Sequence, residues 1–307
     1  MDNHNNRLPK LAIVCVPYAN VYLDPIEDPA KLDTQVLYYE PVTIIEEQGE
    51  WYKVATSWQM KIENNHKIPH EGWINATTVK RAPPYTDEEN SSVTVIIQTP
   101  KAQLIHTQEN GESAIIELFA GTKLYSCVAP DRSINYQVNK PLKLSINTSD
   151  TLPVKVIHKL TTQEKRNAII QHALKFLNTP YVWGGLTKEG IDCSGLTHVC
   201  YRLVDVRIPR DSKDQYLDAK PRYPKDLKQG DLIFLARTED PTRIRHVMLY
   251  GGNDRIIDAI GTDRFSTKWE KVRETTGQEW LKKSFTQMNQ AEEINGYVVY
   301  GGSILER

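Results

Sequence analysis

Cysteine is scarce in this sequence, with four in 307 residues: Cys15, Cys127, Cys193 and Cys200. They stand far apart or, for the last two, seven residues apart on one expected helix. Paired short spacings that hold a metal are absent, and four cysteines are too few to frame so long a chain with disulfides. No metal or other cofactor is expected. Charge of one sign is also lacking: 38 Lys and Arg face 39 Asp and Glu, for a formal net charge of −1. Neither nucleic acid nor an anionic membrane surface is therefore an expected partner. No apolar run approaches the ~20 residues that span a bilayer. The start, Met1 to Asn6, has no Lys or Arg, and the apolar run Leu11–Val16 is too short for the core of a signal peptide. A cytoplasmic location is expected if Met1 is the natural start.

What is present is ordinary globular composition, 39% hydrophobic and 25% charged, in a chain long enough for two or three domains. Up to Val79 the pattern is of short apolar runs between turn residues: Leu11–Val16, Val42–Ile45, Trp51–Ala55 and Gly72–Ile74. Such spacing predicts a small β barrel. The polar stretch Arg81–Ser92, with Pro83 and Pro84, reads as a linker. A second block of predicted strands follows, Val93–Ile97, Ala114–Leu118, Thr122–Leu124 and Ser133–Tyr136.

The last half opens with Thr161 and Glu164 at capping-box spacing, and apolar residues from Ala168 to Leu177 recur at helical intervals until Asn178-Thr179-Pro180. A second helix is predicted over Ser194–Leu203, and strands over Leu232–Leu235, Val247–Leu249, Arg255–Ile260 and Tyr297–Tyr300. The segment Ile191-Asp192-Cys193-Ser194-Gly195-Leu196 puts one cysteine where the second helix begins. A helix start presents unpaired N–H groups and partial positive charge, which favours a thiolate. A buried structural cysteine would have apolar neighbours; Cys193 has Asp192 and Ser194, whereas Cys200 sits with Val199 and Leu203 and reads as core. Among eight histidines only His246 opens an apolar strand, which would hold its ring opposite the helix start as a proton acceptor. Cys193 and His246 read together as a Cys/His hydrolase.

The ordered set Tyr181-Val182-Trp183-Gly184-Gly185, Asp192-Cys193-Ser194-Gly195, Gly230-Asp231-Leu232 and His246-Val247-Met248-Leu249-Tyr250 resembles the catalytic domain of the NlpC/P60 cysteine peptidases. The Glu47-Gln48-Gly49-Glu50 turn before Trp51-Tyr52-Lys53-Val54, and Gly72-Trp73-Ile74, resemble a bacterial SH3-like domain, and Phe119–Leu124 a second. The resemblance implies an α+β fold in which a papain-like catalytic domain (159–307) follows two small SH3-like β barrels (1–88 with the linker, and 89–158). It implies a murein tripeptide or related stem peptide as substrate.

The family usually carries a second histidine, or another polar residue, twelve positions past the base. Here that position is Asp258, a carboxylate among Ile256, Ile257 and Ala259 that needs a partner. The resemblance makes Asp258 the residue that orients His246. It makes Tyr181 an oxyanion or substrate-positioning group, and Asp192 and Ser194 binders of γ-linked D-Glu. The segment Arg210-Asp211-Ser212 matches relatives that bind a free amino-terminal L-Ala, which implies Asp211, with Ser212 beside it, as the ammonium site. An Asp or Ser capping a helix would look the same. From the first barrel the candidates are Glu40 and Trp73. Together these imply release of L-Ala-γ-D-Glu in cell-wall peptide recycling; the rival readings are an endopeptidase on intact wall and an inactive wall-binding module. Oligomeric state is not legible.

Overall fold

The computed structural model describes residues 10–81, 93–107, 111–128, 134–135, 143–261 and 270–306. The first apolar block folds as seven antiparallel strands: Lys10–Val14, Tyr18–Tyr22, Leu32–Leu37, Pro41–Gln48, Trp51–Glu63, His66–Asn75 and Val79–Arg81. Across the sheet the third strand lies beside the second, then come the sixth, fifth, fourth, first and seventh. The second block, Val93–Ile97, Lys101–Thr107, Ser113–Phe119, Lys123–Val128, Ile134–Asn135, Lys143–Ile146 and Thr151–Pro153, takes the same order. Each block also turns into its last strand through one 3-10 turn with an asparagine cap: Asn75 accepts from the Thr77 N–H at 3.0 Å, and Asn147 from the Ser149 N–H at 3.1 Å. The chain thus repeats one seven-stranded unit.

In the first unit, alternate residues Ala12 and Val14, Val42 and Ile44, with Val54 and Ile74, form a small core. Leu32–Leu37 departs from the expected pattern, because its Asp33-Thr34-Gln35 run does not look like a strand, yet Thr34 and Gln35 are buried. The reason lies outside the unit, as the site below shows. His70–Trp73 lies within the His66–Asn75 strand. Most of the expected linker, residues 82–92, lies outside the described residues.

The last half begins with the single turn α1 (Val154–Ile157) and the helix α2 (Thr162–Lys175). Both halves of the predicted capping box form: Thr161 accepts from the Glu164 N–H, and Glu164 accepts from the Thr161 N–H at 2.7 Å. Three further helices follow, α3 (Cys193–Arg202), α4 (Ser212–Asp218) and α5 (Gly277–Leu281). They pack on an antiparallel sheet ordered Lys220–Arg222, Tyr297–Ser303, Leu232–Arg237, Asp240–Gly252, Arg255–Ala259 and Val272–Thr276, with Glu292–Ile294 pairing to Tyr297–Ser303. Every residue of α3 is buried. One apolar cluster joins Ile169, Ile170 and Ala173 of α2, Leu196 and Val199 of α3, and Val247, Leu249 and Ile257 of the sheet. The same cluster takes in Ile96 and Ala120 of the second unit, so that unit is fastened to the last half by a shared core. The Trp58 ring of the first unit meets Lys123 of the second at 3.6 Å and Arg207 of the last half at 4.0 Å.

Candidate active site

Cys193 is the first residue of α3 and is nearly buried. A helix start leaves its first amides without intrahelical partners. Asp192, the cap, takes one of them, accepting from Gly195 N–H at 2.6 Å, and with its other oxygen accepts from Gly184 N–H at 2.7 Å. Glycine is needed at both partners. Gly184 has φ +77° and sits so close to the first unit that a Cβ would meet the Asp33 carbonyl at 3.0 Å; a Cβ on Gly195 would meet the Gly185 carbonyl at 2.3 Å. The Gly-Gly and Cys-Ser-Gly motifs therefore hold the thiol at a fixed place in a tight loop-to-helix junction.

Arg210 locks that junction, and its importance was not legible in the sequence. Its five N–H donors are all engaged: Nε on Thr34 Oγ1 at 2.8 Å, Nη1 on Asp192 Oδ1 at 3.0 Å and Ser194 Oγ at 2.9 Å, and Nη2 on Asp192 Oδ2 at 2.8 Å and the Gly185 carbonyl at 3.4 Å. Its backbone N–H donates to the Met60 carbonyl, and Gln35 accepts from the Leu186 N–H, both at 2.9 Å. The buried polar face of Leu32–Leu37 is thus the seat of the catalytic loops. Burial works against the guanidinium, but the Asp192 carboxylate outweighs it and holds the proton firmly. Asp192 and Ser194 lie beside the nucleophile as expected, but their polar atoms are turned to Arg210, with Ser194 Oγ also donating to Asp192 at 3.2 Å. Replacing Arg210 with alanine strands a buried carboxylate, so a loss of about 3–5 kcal/mol is expected. Thermal unfolding of the variant checks it; an unchanged midpoint would refute the keystone role.

His246 sits in the Asp240–Gly252 strand opposite Leu235, beside a register shift. Such bulges re-aim side chains. The ring lies within hydrogen-bonding reach of the Cys193 sulfur, and its Nε2 is 3.3 Å from Asp258 Oδ2. Asp258 has no exposed surface, and its other oxygen accepts from Arg273 Nε at 3.3 Å. The Trp280 ring lies 6.4 Å from that of His246. Burial works against the imidazolium, yet the Cys193 sulfur and the Asp258 carboxylate outweigh it and push His246 up to about 10. The ring then keeps its proton through neutral pH, beside the sulfur. Neither Arg273 nor Trp280 was expected, and both follow a stretch without apolar periodicity.

Removing the Asp258 charge takes away part of what raises His246. For Asp258→Asn the alkaline limb of the rate profile that His246 sets is expected to move down, with kcat lower by about 10- to 100-fold. Asp258→His should keep much of the activity. An unchanged kcat and limb in Asp258→Asn would take Asp258 out of the site.

Tyr181 is also beside the nucleophile; burial first, then the Cys193 charge, raises its pKa, so the phenol stays protonated. His198 lies on α3 away from the thiol, and burial pushes it down to about 3. Burial likewise pushes the Cys200 thiol up.

The first unit supplies different residues from those expected. Glu40 is buried at the far end of α3, where it accepts from Arg202 Nη1 at 3.0 Å and the Leu37 N–H at 3.2 Å. The left-handed turn at Tyr39, φ 63°, leads it there. Trp73 alternates with His70, Gly72 and Ile74 and so lies on the other face of its strand. His70 also bears on the last half: its Nε2 pairs with Asp33 Oδ2 at 2.6 Å, and the two lie near enough to act electrostatically on Asp214 of α4 and on Arg210. Asp211 is the half-buried N-cap of α4 but makes no side-chain cap bond, and Ser212 opens that helix beside it. Buried atoms His70 Nδ1 and Asp214 Oδ2 have no partner among the described residues.

A thiol at a helix start, a strand imidazole and a buried carboxylate, on helices packed against an antiparallel sheet, make this a cysteine-type peptidase, a hydrolase. The profile of the NlpC/P60 family matches residues 178–288. The chain is 32% identical over 236 residues to the γ-D-glutamyl-L-lysine dipeptidyl-peptidase of Bacillus subtilis, covering 76% of this chain and 74% of that one. It is 29% identical over 255 residues to dipeptidyl-peptidase 6 of Lysinibacillus sphaericus, covering 81% and 87%. Its fold is similar to the crystal structure of an NlpC/P60 family protein from Bacillus cereus, with TM-score 0.74 at 21% identity over 96% of this chain and 99% of that one. The chain belongs to the NlpC/P60 family.

Proposed function

We propose that the chain hydrolyses murein stem peptides with a free amino terminus, releasing L-Ala-γ-D-Glu from the diamino acid that follows, in the recycling of cell-wall fragments. The observation that carries this reading is the acidic cluster beside the nucleophile. The Asp192 charge is taken up by Arg210, while Asp33, Asp211 and Asp214 gather further acidic charge beside it, with His70 and the exposed Lys213 near them. Such a pocket suits a substrate ammonium. The Asp211 side chain makes no cap bond to its helix and so remains available to receive it. The matches to the two dipeptidyl-peptidases extend over about three quarters or more of the chain, 76% and 81%, which favours an exopeptidase reading for the units together.

In this scheme Cys193 attacks the carbonyl after D-Glu, with the Cys193 N–H and the Tyr181 hydroxyl on the oxyanion. His246, oriented by Asp258, passes its proton to the leaving amine, and water then clears the thioester. Asp192 and Ser194, held by Arg210, frame the D-Glu subsite. The two repeated units are read as the SH3-like barrels of residues 1–88 and 89–158, before a catalytic domain at 159–307. The first barrel closes the cleft past the L-Ala residue through Asp33 and His70, in place of Glu40 and Trp73.

The test is product analysis by mass spectrometry with L-Ala-γ-D-Glu-L-Lys, its diaminopimelate counterpart and intact sacculi. Dipeptide and free diamino acid are expected from a tripeptide, with no release from sacculi. Release from sacculi with the tripeptides untouched would restore the endopeptidase, and no cleavage of any substrate would favour the binding module.

A further inference from the structure

We propose that Arg273 is a positioning residue for the reaction, acting on His246 through Asp258. The proposal rests on the reading of Cys193 and His246 as nucleophile and base. Asp258 and Arg273 face each other in register on adjacent strands, Arg255–Ala259 and Val272–Thr276, so the sheet itself brings carboxylate and guanidinium together. The carboxylate bridges two cations, with Arg273 Nε on one oxygen and His246 Nε2 on the other, each at 3.3 Å. A charge with no exposed surface is costly unless paired on both sides. A single contact to the ring would leave one Asp258 oxygen unpaired and the carboxylate free to turn. Arg273 Nη2 is itself buried without a partner among the described residues, so Asp258 is what holds the guanidinium in place.

The guanidinium therefore does two things. It fixes the oxygen that orients the ring, and its positive charge offsets part of the Asp258 charge that raises His246. The charged groups facing His246 are the Cys193 sulfur from α3 and Asp258 from the neighbouring strand, with Arg273 behind it; the α5 side presents the uncharged Trp280 ring. On its own strand Arg243 and Arg245 are exposed.

The experiment is a double-mutant cycle on tripeptide hydrolysis with Asp258→Asn, Arg273→Gln and the double variant, each followed over pH, with Arg273→Lys as the charge-keeping control. Arg273→Gln is expected to lower kcat about tenfold with KM unchanged, and to move the alkaline limb up, opposite to Asp258→Asn. The double variant should be no slower than Asp258→Asn alone, because Arg273 has nothing left to hold. Arg273→Lys should return the limb to its wild-type place. The proposal is overturned if the two losses multiply, if the change falls in KM alone, or if the limb stays put in Arg273→Gln. Where Arg273→Gln folds poorly, Arg273→Lys and the pH dependence of Cys193 alkylation by iodoacetamide carry the same test, and a Lys variant with a displaced alkylation profile overturns it. If Asp258→Asn is also silent, the reading of the site fails rather than this proposal alone.

Discussion

Cys193→Ala is expected to abolish turnover, by a factor on the order of 10⁴ or more, while the protein stays folded. The two halves of that expectation have separate causes. Cys193 is the first residue of α3, and what holds the helix start is Asp192, bonded to Gly195, Gly184 and Arg210, none of which needs the sulfur. Losing one buried sulfur is a small packing change, whereas losing the attacking atom ends covalent catalysis. His246→Ala should cost nearly as much, and the double variant no more than either alone, since a base without its nucleophile has nothing to activate. Rates on the tripeptide, beside thermal unfolding of each variant, check both halves. Activity above about one percent in Cys193→Ala would remove the thiol from the mechanism.

What could be read from the sequence was whatever depended on neighbours along the chain. The Thr161/Glu164 box, the cysteine at a helix start and the apolar strand after His246 are local patterns, and each stands where the pattern put it. What escaped depended on surfaces that meet only after folding. Thr34 and Gln35 are buried because Arg210 and Leu186 lie over them, more than a hundred residues away in sequence, so no periodicity within the strand marks it as one. Glu40 follows the aromatic pair Tyr38-Tyr39, and the left-handed turn at Tyr39 carries it to Arg202. Asp33 and His70, which pair beside Arg210 and Asp214, sit on the Leu32–Leu37 and His66–Asn75 strands, where no motif marked them. Arg210 was visible only as the neighbour of Asp211. Its weight appears once its donors are counted against Asp192, Ser194, Thr34 and Gly185.

The same docking gives the second large effect. Acetylating the substrate's amino terminus is expected to lower kcat/KM by about two to four powers of ten, the equivalent of about 3–5 kcal/mol for breaking a buried charge pair. The acetyl group removes the positive charge and, on the proposed reading, adds bulk beside Asp33 and His70, which pair at 2.6 Å. Nearby Asp211 and Asp214 would then lose the substrate's charge, with Lys213 and the already committed Arg210 left beside them. Asp211→Ala should lose most of its activity on the free tripeptide and change little on the acetylated one, because the second substrate never made the contact. A variant that lost activity equally on both would instead have lost the α4 scaffold, which the Gln215 bonds to Ser194 and Thr197 tie to the nucleophile's helix. Equal kcat/KM for free and acetylated peptides would refute the ammonium pocket and, with it, the dipeptidyl-peptidase reading.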